Sequence, residues 1–257
     1  MKSHFNIPNS MPMDFIRAFT YITEDKRWLA KLCKTTVIAL LCPLPVIGLI
    51  SLCALLGYLA ELIHNVGNDY PRPLPEWNHI GEKISKGAPA LLAILVYHSP
   101  LLLVLLFLYV FQRVIAVSLF GGITFLSILG GLAPLLILYF AFAWSLLALG
   151  LVRYADSWEA NSFFQLNRLL RSLQNHGALA LQWLIASLAA SIILLALLPL
   201  ALLGLALFVP VQGYLAGSFG RMLRAERMAL RRGLSPRERR ADVSPAGYAA
   251  RDGAQFH

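Results

Sequence analysis

The side chain best placed for chemistry is His98, which lies near the middle of a long apolar stretch at residues 88–110. An ionisable group at mid-membrane depth is a functional candidate, and a neutral imidazole can ligate the metal of a haem or chlorophyll-type ring. A histidine can also hydrogen-bond to a neighbouring helix, and Pro100 frees a backbone carbonyl nearby. Because no second ligand accompanies His98 in the sequence, we favour a structural histidine over tetrapyrrole binding.

Other signatures of catalysis are missing from the sequence. No Asp or Glu lies deep in an apolar stretch, and Glu61 lies at the end of one, where we expect it to pair with Lys or Arg. The three cysteines have neither CxxC nor metal-ligand spacing, and two of them lie in apolar runs, where Cys packs as a small hydrophobe. There is no P-loop, HExxH or GxSxG motif. We therefore predict a protein that is not an enzyme and holds no metal.

A run rich in arginine follows the last apolar stretch, with eight arginines between positions 221 and 240. Next to a membrane span, this pattern is typical of attraction to anionic lipid headgroups, with protein docking as the second interpretation. Nucleic acid is not an expected partner, although basic runs can bind it. The residues predicted to contact lipid or a partner are Arg221, Arg224, Arg227, Arg231 and Arg232.

The composition is that of an integral membrane protein. Of 257 residues 58% are apolar and only 14% are charged, and the mean hydropathy is +0.66. Residues 1–34 lack the charged start and short apolar core of a signal peptide, so we expect the first membrane segment to act as its own insertion signal. We place the protein in the cell membrane, as a multi-pass protein.

One stretch of the sequence occurs twice. Residues 41–60, LCPLPVIGLISLCALLGYLA, return at residues 197–216 as LLPLALLGLALFVPVQGYLA, with nine of twenty positions identical and no gap. Leucine matches mean little in so leucine-rich a chain; the informative pairs are Pro43/Pro199, Gly48/Gly204, Gly57/Gly213, Tyr58/Tyr214 and Ala60/Ala216. Pro43, Pro45 and Pro199 should break helices, and the Gly positions of GYLA should allow a facing helix to pack closely. We interpret the two stretches as copies of one membrane hairpin.

The remaining elements follow from apolar periodicity and from helix-start signals. Apolar stretches at 28–64, 88–110, 133–152, 178–198 and 200–219 predict membrane helices, and glycine pairs break the apolar stretch 114–131, which we expect not to cross. Short amphipathic surface helices are predicted at 14–22, around Trp77 to Ile84, and from a capping box at Asp156 and Glu159 to Gly177. A new helix start is predicted at Thr23.

The distribution of positive charge favours six crossings with both termini in the cytoplasm. If both copies are hairpins, 21 of the 22 Lys and Arg residues fall on one side of the membrane, and only Arg113 faces the other. The predicted fold is thus an all-α membrane protein with about six transmembrane helices, in which two parallel hairpins flank two central spans. Its parts are a loose extension at 1–12, a membrane domain at 13–223 with copies at 13–66 and 156–223 and central spans at 88–152, and a basic cytoplasmic tail at 224–257. The first half of the first hairpin carries Lys31 and Lys34, whose charged ends we expect to extend to the membrane surface, so whether this hairpin crosses fully stays open.

Residues 13–223 resemble an uncharacterised bacterial and archaeal membrane family, domain of unknown function 4013. The resemblance rests on DFIRAFTYITEDKRWLAKL, on PLPVIGLISLCALLGYLAELIHNV, on the loop PLPEW, and on the aromatic amphipathic helix before the last hairpin. It implies a multi-span helical architecture and no assigned activity.

Three functions remain open from the sequence. We favour a non-catalytic accessory or scaffold subunit that contacts membrane lipids and other membrane subunits. The alternative is a carrier or scramblase for a lipid or small amphipathic molecule, which would use the cleft between the two copies. The third is tetrapyrrole binding through His98. Bound lipid is the ligand we expect.

Overall fold

The structure is a computed structural model, and it describes residues 15–115, 121–197 and 202–231. All regular secondary structure within these ranges is helical. The α-helices are α1 (Arg17–Thr20), α2 (Trp28–Leu40), α3 (Pro45–Gly67), α4 (Ile80–Ile115), α5 (Gly121–Ser157), α6 (Leu166–Asn175), α7 (Gly177–Ala196) and α8 (Leu202–Arg231). Two 3-10 turns, Tyr21–Glu24 and Ala160–Phe163, follow α1 and α5.

Four helices within the described ranges are long and apolar enough to cross a membrane. They are α3, the part of α4 at Ile80–Arg113, the part of α5 at Leu126–Ser157, and α7. Each has at least the about 20 residues that a crossing takes. The chain is thus an all-helical protein of the membrane-spanning type.

The helix break predicted within the first apolar region is present. α2 ends at Leu40 and α3 begins with Pro45 at its first position, where a missing N–H costs no helix hydrogen bond. In the second copy α7 ends at Ala196, 156 positions after Leu40, and α8 begins at Leu202. Pro199 lies outside the described residues.

α3 is the central helix of the molecule. It packs against α2, α4, α5 and α8, and 56% of its most apolar stretch is buried, against 11% for α4. Its buried face includes Tyr58, Leu62 and Ile63. α8, which carries the second copy of the repeated stretch, packs beside α3 and also contacts α1, α2, α5 and α7. The core therefore lies between the two helices that carry the repeated sequence.

Glycines allow α3 to approach α4 and α8 closely. A methyl group added at Gly57 would lie 1.9 Å from the carbonyl oxygen of Lys83, and one at Gly87 would lie 1.7 Å from that of Cys53. A methyl group at Gly213 would lie 2.4 Å from the Leu62 side chain. The first two contacts are to backbone, which cannot move aside, so α3 and α4 are held together by direct backbone packing.

The predicted short surface helix around Trp77 to Ile84 is wrong. Trp77 lies in an irregular segment and is buried, while Ile80 begins α4, which continues without interruption to Ile115. The predicted glycine break at 130–131 is wrong too, because α5 runs through both glycines. In an apolar surrounding, unmade backbone hydrogen bonds are costly, so a helix persists through residues that would end it in water.

The predicted helix starts at Thr23 and Asp156 are also wrong. α2 begins at Trp28, and α5 continues to Ser157, after which Trp158 adopts a left-handed backbone with φ of 57°. The carboxylate of Asp156 pairs with Arg224 instead of capping a helix. One amphipathic helix was predicted at 14–22; of its described residues, 15–22, only those in α1 and in the following 3-10 turn are helical.

Candidate functional site

A buried lysine is the first unexpected feature of the site. Lys31 on α2 is 5% exposed, and its ammonium group donates to Asp25 Oδ2 and to the carbonyl oxygen of Leu74, each at 2.7 Å. Its Nζ lies 3.1 Å from Glu76 Oε1. Lys31 was expected to extend to the membrane surface, but its charge is instead satisfied inside the protein. Burying a lysine is tolerable only with such partners.

Asp25 is the main counter-charge of Lys31. Burial alone would raise the pKa of the Asp25 carboxyl, but hydrogen bonds from the Lys31 ammonium and the Arg27 N–H outweigh burial and hold that pKa below its ordinary value of 3.8. The Asp25 carboxyl is therefore ionised at neutral pH, and its contact with Lys31 ties the turn before α2 to the helix itself.

A stacked aromatic pair lies beside this ion pair. The rings of Tyr58 on α3 and Trp77 are 4.6 Å apart and nearly parallel, and Trp77 Nε1 donates to Thr35 Oγ1 at 3.0 Å. Thr35 and Lys31 are four residues apart, so they share one face of α2. The segment between α3 and α4 thus folds back as a cover over the polar face of α2.

A second ion-pair cluster lies where α3 and α4 cross. Glu61 on α3 pairs with Lys83 and, at 3.0 Å, with Lys86, and Lys86 also pairs with Glu82 at 2.7 Å. Lys83 is 2% exposed and its Nζ lies 5.6 Å from the centre of the Tyr58 ring. The expectation that Glu61 pairs with Lys or Arg agrees with this arrangement.

A cleft of about 430 Å³ opens over this cluster. Its walls combine acidic, basic and aromatic side chains, among them Glu61, His64, Glu82, Lys86 and Trp158. Lys86 Nζ lies 4.8 Å from the centre of the Trp158 ring, and His64 Nδ1 lies 2.7 Å from the carbonyl oxygen of Ala155. A cleft with both charge signs and an aromatic wall suits a small polar or zwitterionic group.

The tyrosines of the two GYLA copies occupy similar surroundings. Tyr58 stacks on Trp77, and Tyr214 stacks on Tyr21 with ring centres 4.6 Å apart. The Tyr21 hydroxyl donates to the carbonyl oxygen of Pro210 at 2.9 Å. In each copy, a ring from a segment outside the hairpin covers the tyrosine.

His98 lies half-buried on α4. Its Nδ1 is 2.9 Å from the carbonyl oxygen of Ile94 on the same helix, and its ring meets the edge of Phe140. Because Nδ1–H donates to that carbonyl, Nε2 is the nitrogen that could ligate a metal. Among the described residues, no group of three or more His, Cys, Asp or Glu side chains could hold a metal ion. Pro100 does leave a carbonyl free, that of Val96, and the Ser99 hydroxyl donates to it at 2.8 Å.

Four of the five predicted lipid-contacting arginines lie in α8, and three of these make contacts within the chain. Arg221 pairs with Asp69, Arg224 pairs with Asp156 and donates to the carbonyl oxygen of Gly67, and Arg227 donates to Ser172 Oγ at 3.0 Å. Arg231 is the last residue of α8, and Arg232 lies outside the described residues. Lipid or partner contact by these arginines stays a prediction.

A neutral hydrogen-bond network joins α7 to α8. Ser187 Oγ donates to Gln212 Oε1 at 2.6 Å, and Gln212 Nε2 donates to the Ser187 carbonyl oxygen at 3.1 Å and to Ser191 Oγ at 3.0 Å. These groups saturate one another, which suits an interhelical clamp. A substrate path would instead require groups free to bind a solute.

The fold and the site together define the class to which this protein belongs. The protein is an all-helical membrane-type protein whose two buried lysines among the described residues, Lys31 and Lys83, are each paired with a carboxylate. The chain belongs to the family described as protein of unknown function (DUF4013), whose model matches residues 40–207. This confirms the resemblance drawn from the sequence. No curated protein and no solved structure matches the chain.

Proposed function

We propose that this protein is a non-catalytic accessory or scaffold subunit of a larger complex in the cell membrane. It inserts six helices, as two parallel hairpins on either side of α4 and α5, with both termini and the surface helices on the cytoplasmic side. This orientation is supported by the positive charge, since every Lys and Arg but Arg113 then lies on or next to the cytoplasmic side.

The observation that carries the docking proposal is the uncovered face of α4. Only 11% of its most apolar stretch is buried within the chain. Leu103 and Phe107 are 65% and 66% exposed, and the Phe107 ring stacks on that of Phe111 with ring centres 5.8 Å apart. Aromatic side chains are enriched at the centres of protein interfaces. The occupant we propose is an apolar transmembrane helix of another subunit.

The exposed face of α7 serves as the natural comparison. It is equally apolar, but its exposed large side chains are all aliphatic: Leu181, Ile185, Leu188, Ile192, Ile193 and Leu195. Lipid tails can cover an aliphatic surface without specific packing, whereas the stacked rings on α4 have a fixed shape against which a partner helix can pack. We therefore assign docking to α4 and lipid contact to α7.

The test places a photo-crosslinking amino acid at Phe107 or, as the matched control, at Leu188, in the full chain expressed in its own membrane. We expect the Phe107 probe to give a discrete protein adduct that mass spectrometry identifies, and the Leu188 probe to give lipid adducts only. Equal yields of protein adduct at both positions, or none at Phe107, would refute docking through α4.

The cleft over Glu61 and Lys86 favours a second candidate, a carrier or scramblase for a lipid or small amphipathic molecule, because its charges and its Trp158 wall suit a zwitterionic headgroup. A flux assay in reconstituted vesicles tests it, and rates equal to those of empty vesicles across candidate lipids would exclude it.

Tetrapyrrole binding through Nε2 of His98 is the third candidate. The absorbance spectrum of the purified protein decides it, since a bound ring gives an intense visible band.

A further inference from the structure

Five arginines at the junction of α5, α6 and α8 fall into two groups. Arg221 and Arg224 each have a carboxylate partner, Asp69 and Asp156 respectively. Arg153, Arg168 and Arg227 form no ion pair with a carboxylate among the described residues, and their hydrogen bonds go to neutral side chains.

These three guanidinium groups converge on one face of α6. Arg153 Nη2 and Arg168 Nη1 donate to the same atom, Gln165 Oε1, at 3.2 and 3.0 Å. Arg227 donates to Ser172, which lies four residues after Arg168 and hence on the same face of the helix. The charges of Arg168 and Arg227 both act on Arg153.

Three like charges gathered on two neutral acceptors repel one another, and Arg153 is also partly buried. Such a cluster is stabilised by an anion that accepts from several guanidinium groups at once. The neighbouring carboxylates are already engaged, because Glu226 pairs with His176 at 2.8 Å and Asp156 pairs with Arg224. A phosphate group, with its several acceptor oxygens, matches forked guanidinium donors well.

We propose that Arg153, Arg168 and Arg227 form a binding site for a phosphate group. The group could belong to a lipid headgroup or to a soluble phosphate, and the surroundings favour the lipid. Phe164 and Leu166, on either side of Gln165, are 41% and 48% exposed, so apolar surface lies directly beside the charged groups. α6 is amphipathic and buries Leu169 completely, as a helix lying in the headgroup region would. This site does not depend on docking through α4.

The test compares Arg168→Gln with Arg171→Gln in the full chain. Both residues are exposed and lie on α6, and each substitution removes one positive charge. Arg171, however, takes no part in the hydrogen bonds to Gln165 and Ser172. The probe is dioleoylphosphatidylglycerol, titrated into the protein in a neutral detergent and counted by native mass spectrometry, with dioleoylphosphatidylcholine as the zwitterionic reference. Arg168→Lys keeps the charge and loses the fork.

We expect the affinity for phosphatidylglycerol to fall about tenfold in Arg168→Gln, to stay within about twofold in Arg171→Gln, and to recover partly in Arg168→Lys. Equal losses in the two glutamine variants would overturn the site, because the effect would then be one of net charge. Preservation of binding in Arg168→Gln would overturn it as well.

A parallel arm uses inorganic phosphate and the midpoint of thermal unfolding. A midpoint raised by phosphatidylglycerol, and unchanged by inorganic phosphate at equal concentration, supports the lipid as the source. If both ligands raise the midpoint of the wild type equally, and neither raises that of Arg168→Gln, the lipid assignment is overturned. The same site then belongs to a soluble phosphate compound.

Discussion

The first hairpin, α2 and α3, and the second, α7 and α8, share sequence positions but differ in how their interiors are stabilised. Lys31 and Thr35 of α2 correspond, at the offset of 156 positions, to Ser187 and Ser191 of α7. The first hairpin buries a charge there, and the partners of that charge lie outside the hairpin, in Asp25, Leu74 and Glu76. The second buries neutral hydroxyls, and their partner, Gln212, belongs to the hairpin itself.

Corresponding positions of the two hairpins therefore hold two kinds of buried polar group, a charged one in the first and a neutral one in the second. In the second hairpin, the side chains of Ser187, Ser191 and Gln212 pair with one another within α7 and α8. The first depends on the segment between α3 and α4, which supplies Trp77, Leu74 and Glu76 as a cover. The first hairpin thus depends on another segment for its polar interior, and the Ser187–Gln212 network of the second does not.

The largest expected effect is a loss of stability when the buried ion pair of the first hairpin is broken. Lys31→Met should destabilise the protein by about 3–5 kcal/mol, because Asp25 would be left as a buried, unpaired charge. Chemical unfolding in mild detergent measures it. The corresponding change in the second hairpin, Ser187→Ala, should destabilise the protein by only about 1–2 kcal/mol, because it leaves no charge without a partner. Similar costs for the two variants would contradict the distinction between a charged and a neutral interior.

A double variant tests whether the charge is the cause. Lys31→Met combined with Asp25→Asn removes both charges, so we expect the double variant to be more stable than Lys31→Met alone. If the double variant is less stable than the single one, the cost comes from lost packing and not from an unpaired charge.

The next effect concerns the glycine that the two copies share. Gly57→Ala should cost about 3 kcal/mol, since the new methyl group would meet the backbone carbonyl of Lys83, whereas Gly213→Ala should cost about 1 kcal/mol, because the Leu62 side chain can rotate away. The same unfolding assay measures both. Gly81→Ala, where nothing lies within 4 Å, is the control and should be close to neutral.

The smallest effect is a pH dependence of the ion pair between Asp25 and Lys31, which belongs to the first hairpin. The pKa of Asp25 is held below 3.8 in the folded protein, so its ion pair contributes its full stability above that pH and loses it as the pH falls through the lower folded value. The stability difference between the wild type and Asp25→Asn should therefore shrink on acidification below about pH 4. A difference that stays constant down to pH 2 would show that the Asp25 charge adds no stability.

The sequence predicted the elements that depend on strong local signals. The break between α2 and α3 follows from Pro43 and Pro45, and the long apolar helices follow from hydropathy alone. That Glu61 forms an ion pair was predicted from its own position at the end of an apolar stretch. Each of these inferences uses only residues close to one another along the chain.

The features that sequence reasoning missed depend on contacts between distant segments. Lys31 was expected at the surface because its partners Leu74 and Glu76 lie over 40 positions away. The boundary at Asp156 was misjudged because Arg224, which binds its carboxylate, belongs to another helix. One signal was available for Lys31, since Lys31 and Thr35 share a helix face with Leu32 and Ala39 nearby, which favours burial of that face.

α4 and α5 are longer than a single membrane crossing needs. Their 36 and 37 residues correspond to about 54–56 Å, well beyond the roughly 30 Å of a hydrocarbon core. Tilting within the usual 0–40° range removes only part of this excess. The excess includes charged turns, with Lys83 and Lys86 near the start of α4 and Arg153 and Asp156 near the end of α5. The two helices therefore act as rigid supports that hold the Glu61 ion pairs and the arginine cluster at a fixed height beyond the apolar stretches.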